Sequence, residues 1–444
     1  MHVRRLGSIV ALVGLASACG ESESAAPPSY YEQVKPILDA RCVSCHEEGG
    51  IGPVALSNYE QVAHLAPLIR LMAETRTMPP WSADRGYREY KYDPSLTDEQ
   101  IATIVAWDDG GAPAGDPAKE GAPLPVETHT LARIDATLAM PTAYTPKQTP
   151  DEYRCFILDW PEQDTTWVTG FNAKPGYPAI DHHIAAYLVT PDNPLGAQVF
   201  DELAELDAAE PDPGYTCFGG PSGDSDLPIV AMQLGQWVPG QGGGDFPAGT
   251  GIEVPAGSKV VLQMHYNLLA GTAPDLTQLE IMMADAVDRP GAFAPWLNVG
   301  WVFGGMKIPP GQADVVYGIT DDPRPFFEQM IGDVDTTQGF LVHAIMLHMH
   351  KLGMSGVVAI ERQDGTRDVL LSISRYDFNW QRLYQLAEPV EFKNGDKLTV
   401  ECRWNNGPEN QPVIDGMQQA PREVNWGEGT FDEMCVGNLY ISEL

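Results

Sequence analysis

From about residue 130 onward, apolar and polar positions come in short runs closed by glycine and proline. "HHIAAYLV", "GSKVVLQMHYNL", "TQGFLVHAIMLHMH", "GVVAIERQDGTRDVLLSI" and "GDKLTVECRW" are the clearest. Runs of this length between turn signals predict strands, and the Asp-Gly in "RQDGTRD" predicts a hairpin. The front of the chain has a different period. "LAPLIRLMAET" and "SLTDEQIATIVAWDDGG" repeat their apolar residues at helical spacing, and the second starts at Thr97 and stops at glycine. The Pro, Ala and Gly stretch "APAGDPAKEGAPLPV" then reads as a linker. The predicted chain is therefore multidomain. A small all-α domain over 30–115 and a linker over 116–129 precede two tandem antiparallel β-sandwiches of jelly-roll type, over 130–287 and 288–444.

Composition agrees with this picture. The 444 residues are 43% hydrophobic, enough for packed cores, and 44 glycines with 38 prolines favour turn-rich β structure. A formal net charge of -34 argues against nucleic acid or an anionic membrane surface as partner. The first residues, "MHVRRLGSIVALVGLASAC", combine a basic stub, a short apolar run and small residues, which predicts an export signal over 1–19 and a polar tether over 20–29. The "ASAC" ending resembles a bacterial lipobox that would lipidate Cys19; Ala16, where Leu is favoured, leaves plain cleavage open. The expected location is the bacterial cell envelope, periplasmic or anchored to the outer membrane, with membrane contact only through the lipid. Of seven cysteines, Cys19 would take the lipid, and Cys42 and Cys45 belong to a motif. Cys155, Cys217, Cys402 and Cys435 remain, and in an oxidising compartment two disulfides would use all four.

"CVSCH" fits C-x-x-C-H, the attachment signature of covalent haem c. The thiols of Cys42 and Cys45 would join the haem vinyl groups, and His46 would ligate the iron. A C-x-x-C pair also serves redox and zinc sites. "GIGPVAL" resembles the Gly-Pro-x-x-Leu segment of small cytochromes c, in which the carbonyl of the proline, here Pro53, orients the histidine. "TRTMPPW" offers Met78 as the second axial ligand, with Met72 as competitor in a predicted helix. The whole of 30–115 thus resembles a cytochrome c domain with His/Met ligation.

The remaining histidines fall into clusters. His182 and His183 are adjacent, His265 lies in "LQMHYN", and His348 and His350 lie in "LHMHKLG". Residues two apart on a strand share a face, so His348 and His350 can chelate one ion. Adjacent His182 and His183 can share a metal only at a bend, which Pro178 and Asp181 could supply. Imidazoles suit Cu, Zn, Fe and Ni, and a thioether selects Cu(I). His64 and His129 read as surface residues and His343 as a core residue.

In order, "DHHI", "LQMHYN", "LHMHKLG" and "FDEMCVGNLY" resemble the copper type II, ascorbate-dependent monooxygenases, a family that includes dopamine β-monooxygenase and peptidylglycine α-hydroxylating monooxygenase. The resemblance covers roughly 130–444 and extends to "RYDFNWQ" and "CRWNN". It implies two copper ions: an electron-transfer copper on His182, His183 and His265, and a dioxygen-binding, catalytic copper on His348, His350 and Met434. It implies disulfides Cys155–Cys217 and Cys402–Cys435. It also implies dioxygen, a small organic substrate, and ascorbate or another one-electron donor as partners. Two departures matter. Peptide-processing members carry Arg where this chain has Met346, which argues against a peptide carboxylate, and "MCVGNLY" is longer after the methionine, which unsettles the wall near Asn438 and Tyr440. The expected function is an exported copper monooxygenase supplied with electrons by the fused haem domain. The alternative is a non-catalytic haem- and copper-binding lipoprotein for electron transfer or metal handling.

Overall fold

In the computed structural model, the described residues are 26–444 except 49, 51, 127–128, 193–197, 219, 224, 226–228, 230, 239–240, 269–270, 332–333, 415–416 and 428. Cys19 and the signal stretch lie outside them. Among the described residues, no helix is long and apolar enough to cross a membrane.

Alternation along the strands sets the architecture. Strand Lys259–Asn267 is buried on both faces through its middle, because it sits at the centre of a five-stranded antiparallel sheet. Its neighbours are Asp151–Asp159 and Asp181–Val189, with Tyr215–Thr216 and Met232–Trp237 at the edges. A nine-stranded sheet packs against it. That sheet runs from Ala136–Ala139 through Gln278–Ala284, Thr166–Lys174, Thr250–Val254 and Arg289–Trp296 to Val436–Ser442, Gly339–His348 and Tyr384–Lys393, with Gly244–Asp245 beside Thr166–Lys174. A four-stranded antiparallel sheet covers its far half, in the order Val315–Asp321, Lys397–Trp404, Gly353–Glu361 and Arg367–Ile373. The "RQDGTRD" hairpin joins the last two, with Glu361 opposite Arg367.

Two expectations are corrected here. The chain is mostly β-sheet with few helices, and no clear all-α cytochrome c domain stands at its front. The helices there are short: Lys35–Arg41, Tyr59–His64, Ala66–Glu74 and Asp98–Asp109. They enclose small apolar clusters around Trp107 and Ile104. The stretch between the last two, broken by Pro79, Pro80 and Pro94, docks onto the β region instead of covering a helical core. Asp84 N–H donates to Ser372 O at 2.8 Å, Tyr90 pairs with Leu386, Arg88 bridges Asp368, and Ala83 is buried in the apolar core of the C-terminal half. The second correction concerns the sandwiches, which are neither separate nor wholly antiparallel. Arg289 and Pro290 pair in parallel with Thr250 and Gly251, which carries one sheet across both halves. The physical reason lies in the cores: Phe293, Ala344 and Tyr440 from the C-terminal half pack into the N-terminal core.

Both expected disulfides are present, Cys155–Cys217 and Cys402–Cys435.

Candidate metal centres and the cavity between them

His265 lies opposite His183 in neighbouring strands, and the register slips between Asp181 and His183. In a regular strand, His182 and His183 would face opposite ways. The slip is a bulge, and it turns both rings toward His265. His265 Nδ1 then lies 3.1 Å from His182 Nδ1 and 3.2 Å from His183 Nδ1. Among the described residues, these three form the group of His, Cys, Asp or Glu whose donor atoms all fall within 4.8 Å of one another. The far nitrogen of His265, Nε2, donates to Asp151 Oδ1 at 3.0 Å. Asn267 Nδ2 holds the same oxygen at 3.1 Å.

The second pair sits where strand Gly339–His348 ends. His348 and His350 face each other through Nε2 at 3.1 Å. Their Nδ1 atoms are held behind, His348 by Gln381 Oε1 at 2.5 Å and His350 by Asp432 O at 3.1 Å. Glu433 accepts from the backbone N–H of His350 (2.8 Å) and of Leu352 (2.6 Å), and from Trp404 Nε1 (2.8 Å). That clamp fixes the residue before Met434, and the Cys402–Cys435 disulfide fixes the residue after it. Met434 is buried and lines the same cavity as His348.

Burial holds all five imidazoles below the ordinary histidine range. His182 falls to about 4, opposed by Asp151, and His350 to about 3, helped by His348. His183 and His265 fall well below it, from burial and then from their histidine neighbours, and His348 falls through burial. Neutral rings at pH 7 keep a lone pair for a cation.

One ring touches both groups. Phe378 stacks on His182, with centroids 5.7 Å apart, and meets His350 edge-on at 5.8 Å. Lys351 Nζ lies 4.7 Å over the same ring. Beside it opens a cavity of about 300 Å³ lined by both groups, Met434 and Met346.

At the front, Cys42 and Cys45 are free thiols on the turn that also carries His46. His46 Nδ1 donates to Val54 O at 2.8 Å, so the carbonyl that orients this ring belongs to Val54 and not to Pro53. A side chain at Gly52 would meet His46 Nδ1 at 2.5 Å, so the loop closes tightly over the ring. Met78 is half-buried, and its N–H donates to Met72 O at 3.3 Å. A second cavity of about 840 Å³ opens beside Cys45 and is bounded by Trp81, Tyr90, Trp237 and Arg382. His129 also borders it, stacked on Tyr92 with centroids 4.7 Å apart, so it is more than a surface residue. His343 is buried and bonds Ser442 Oγ through Nε2 at 2.9 Å.

Residues 302–442, which hold His348, His350 and Met434, match the family model described as "Copper type II ascorbate-dependent monooxygenase, C-terminal domain". The copper type II monooxygenase family is supported. Three relatives agree. The chain is 26% identical over 293 residues to "DBH-like monooxygenase protein 2" of Mus musculus, covering 63% of this chain and 43% of that protein. It is 26% identical over 227 residues to "MOXD1 homolog 2" of Drosophila melanogaster, covering 48% and 28%. It is 29% identical over 135 residues to "Putative DBH-like monooxygenase protein 2" of Homo sapiens, covering 30% and 24%. The chain spans less than half the length of each of these relatives. Among solved structures, the likeness to "Crystal structure of BuGH86wt in complex with neoagarooctaose" has a TM-score of 0.17 at 10% identity, over 92% of this chain and 55% of that one, and carries no argument.

Sequence reasoning missed Asp151, Gln381 and Phe378. "DEYRCF" and "DFNWQ" contain no ligand spacing; strand register brings Asp151 to His265, and the short helical turn Phe378–Trp380 brings Phe378 and Gln381 to the rings.

Proposed function

We propose that this chain is an exported copper monooxygenase that hydroxylates a small organic substrate with dioxygen, and that it takes electrons through a haem held at its front. The observation that carries the reading is two groups of imidazoles, one converging through Nδ1 and the other through Nε2, with His182, His183 and His348 on the wall of one cavity. His182, His183 and His265 would hold one copper ion; His348, His350 and the Met434 thioether would hold the other. Two bound copper ions would supply the two electrons that, with two protons, convert a C–H bond and dioxygen into an alcohol and water. The donor set suits copper, because a soft thioether favours Cu(I) and is a poor zinc ligand.

The chain's own groups do the positioning. Asp151 and Gln381 fix which nitrogen of His265 and of His348 faces the cavity. Glu433 pins the backbone beside Met434.

The front motif fits haem. His46 commits Nδ1 to Val54 and leaves Nε2, which would hold the haem iron, and the cavity at Cys45 offers room. Cys42 and Cys45 stand as free thiols on the turn before His46, the positions from which two thioether bonds to a haem would form. Thioether-bound haem would supply single electrons, with ascorbate or another one-electron donor as their source. Residues 378–384 join the two regions: Arg382 lies 5.5 Å over Trp81, and Phe378 rests on His182. Two disulfides accord with an oxidising compartment such as the periplasm, where Cys19 would carry the lipid anchor.

Copper and haem stoichiometry on the purified chain, with oxygen uptake in the presence of ascorbate, tests the reading. Two coppers and one covalent haem per chain with substrate-dependent uptake support it. A single copper, or no substrate-dependent uptake, favours a non-catalytic metal-handling protein instead.

A further inference from the structure

We propose that the cavity between the two histidine groups selects an uncharged substrate, whose single hydrogen-bonding group is received by a row of amides formed by Asn438, Gln233 and Gln236. This deepens the monooxygenase reading and rests on it.

The first observation is the lining. Among its described residues the cavity wall contains no Asp, Glu, Lys or Arg, in a chain where these make up 20% of positions. The apolar part is built from Met330, Ile331, Met346, Phe293 and Val436. An ammonium entering this space would lose its hydration without meeting a carboxylate side chain, and a carboxylate would find no cationic side chain, leaving only the copper ions of the proposed function to attract it. A neutral molecule incurs no such loss, and a volume of about 300 Å³ is at the small end for ligand sites.

The second observation is the row itself. Asn438 Nδ2 donates to Gln233 Oε1 at 2.6 Å, Gln233 Nε2 donates to Gln236 Oε1 at 2.8 Å, and Gln236 Nε2 ends on Met346 Sδ at 3.3 Å. The other amides on the wall are engaged elsewhere: Gln263 on Cys217 O, Gln381 on His348, and Asn379 on Asp377. A primary amide has two N–H donors and two carbonyl lone pairs. Each member of the row therefore keeps one N–H and at least one lone pair beyond these bonds. That suits a hydroxyl, ketone or amide, which can give and take without net charge. The row also crosses between the halves, from strand Val436–Ser442 to strand Met232–Trp237, so its placement depends on the assembled fold. It ends on Met346, the position where peptide-processing relatives of the resembled family carry a carboxylate-holding Arg.

Three isosteres decide the matter: 2-phenylethanol, 2-phenylethylammonium and phenylacetate, with ethylbenzene as the shape control. Binding to the copper-loaded full chain is measured at pH 7 by calorimetry, and copper content and oxygen uptake are recorded on the same preparation. The alcohol is expected to bind at least tenfold tighter than either ion. Gln233→Met, which keeps volume and removes the amide, should weaken the alcohol about tenfold and leave ethylbenzene unchanged. Gln233→Glu should move the preference at least tenfold toward the ammonium. If either ion binds the parent chain as tightly as the alcohol, or if Gln233→Met weakens ethylbenzene as much as the alcohol, the proposal falls. Failure of the monooxygenase reading would look different: no oxygen uptake with any ligand, whatever the order of binding.

Discussion

His265 donates Nε2–H to Asp151 Oδ1 at 3.0 Å, and that bond decides which ring nitrogen turns toward His182 and His183. An imidazole held from behind by a carboxylate keeps its tautomer and gains basicity. Replacing Asp151 with Ala should weaken copper at this group by about 10- to 100-fold and leave the His348 group near its parent affinity. Copper titration against a competing chelator reads the two sites separately. Equal loss at both sites would mean that Asp151 supports the fold rather than the ligand.

Phe378 touches both His182 and His350, with centroids 5.7 and 5.8 Å away. Trimming it to Ala removes the ring that contacts both groups. Dipolar coupling between the two Cu(II) ions reports their separation, and electron paramagnetic resonance should find it unchanged in Phe378→Ala if the strands alone set that separation; a larger coupling would mean that the ring holds the groups apart. The same variant should lose about 3–5 kcal/mol of stability, as expected for a buried aromatic.

The Cys402–Cys435 disulfide closes a loop of 33 residues and ends next to Met434. Changing both cysteines to Ala should cost about 2–4 kcal/mol in a urea titration. It should also lower Cu(I) affinity at the His348 group more than at the His265 group, because only the former depends on where Met434 sits. Substitution of Cys155 and Cys217 should give the opposite order, since Cys155 shares its strand with Asp151.

His343 is buried against Ser442, and its pKa is lowered to about 4 by burial first and then by the charges of Arg289 and Lys91. The unfolded chain protonates near the ordinary histidine value of about 6.5, before the folded one does. Its contribution to stability is therefore complete above pH 6.5 and is lost as pH falls toward 4. The loss over that window is roughly 2–3 kcal/mol. His343→Gln should flatten this part of the profile, measured as the urea midpoint of copper-loaded chains between pH 7 and pH 4. An unchanged slope would remove His343 from the account.

Local pattern made much of the β region legible. The apolar run in "KVVLQMHY" and the Asp-Gly turn correspond to a strand and a hairpin, and i, i+2 spacing brings His348 and His350 face to face. The bulge at His182 was suspected from upstream residues, yet its register against His265 belongs to a partner strand some eighty residues away in sequence. At the front, helical spacing in two segments and the C-x-x-C-H motif point to an all-α domain, but they say nothing of how the stretch between Glu74 and Asp98 packs. Pro79, Pro80 and Pro94 break that stretch, and its aromatic residues pack onto distant strands. Asp151, Gln381 and Gln233 lay beyond sequence reasoning for one reason. A hydrogen-bonding side chain behind a ligand has no fixed spacing from it, and only tertiary register brings the two together.

The parallel contact of Arg289 and Pro290 with Thr250 and Gly251, reinforced by the 3.0 Å bond between Thr250 Oγ1 and Tyr440 Oη, makes one backbone lattice of two halves. Such a frame behaves like a machinist's jig. Its clearances are cut when the chain folds. Parting the halves would mean tearing main-chain pairs in the middle of a sheet, so a hinge between them would have to break backbone bonds each time it opened.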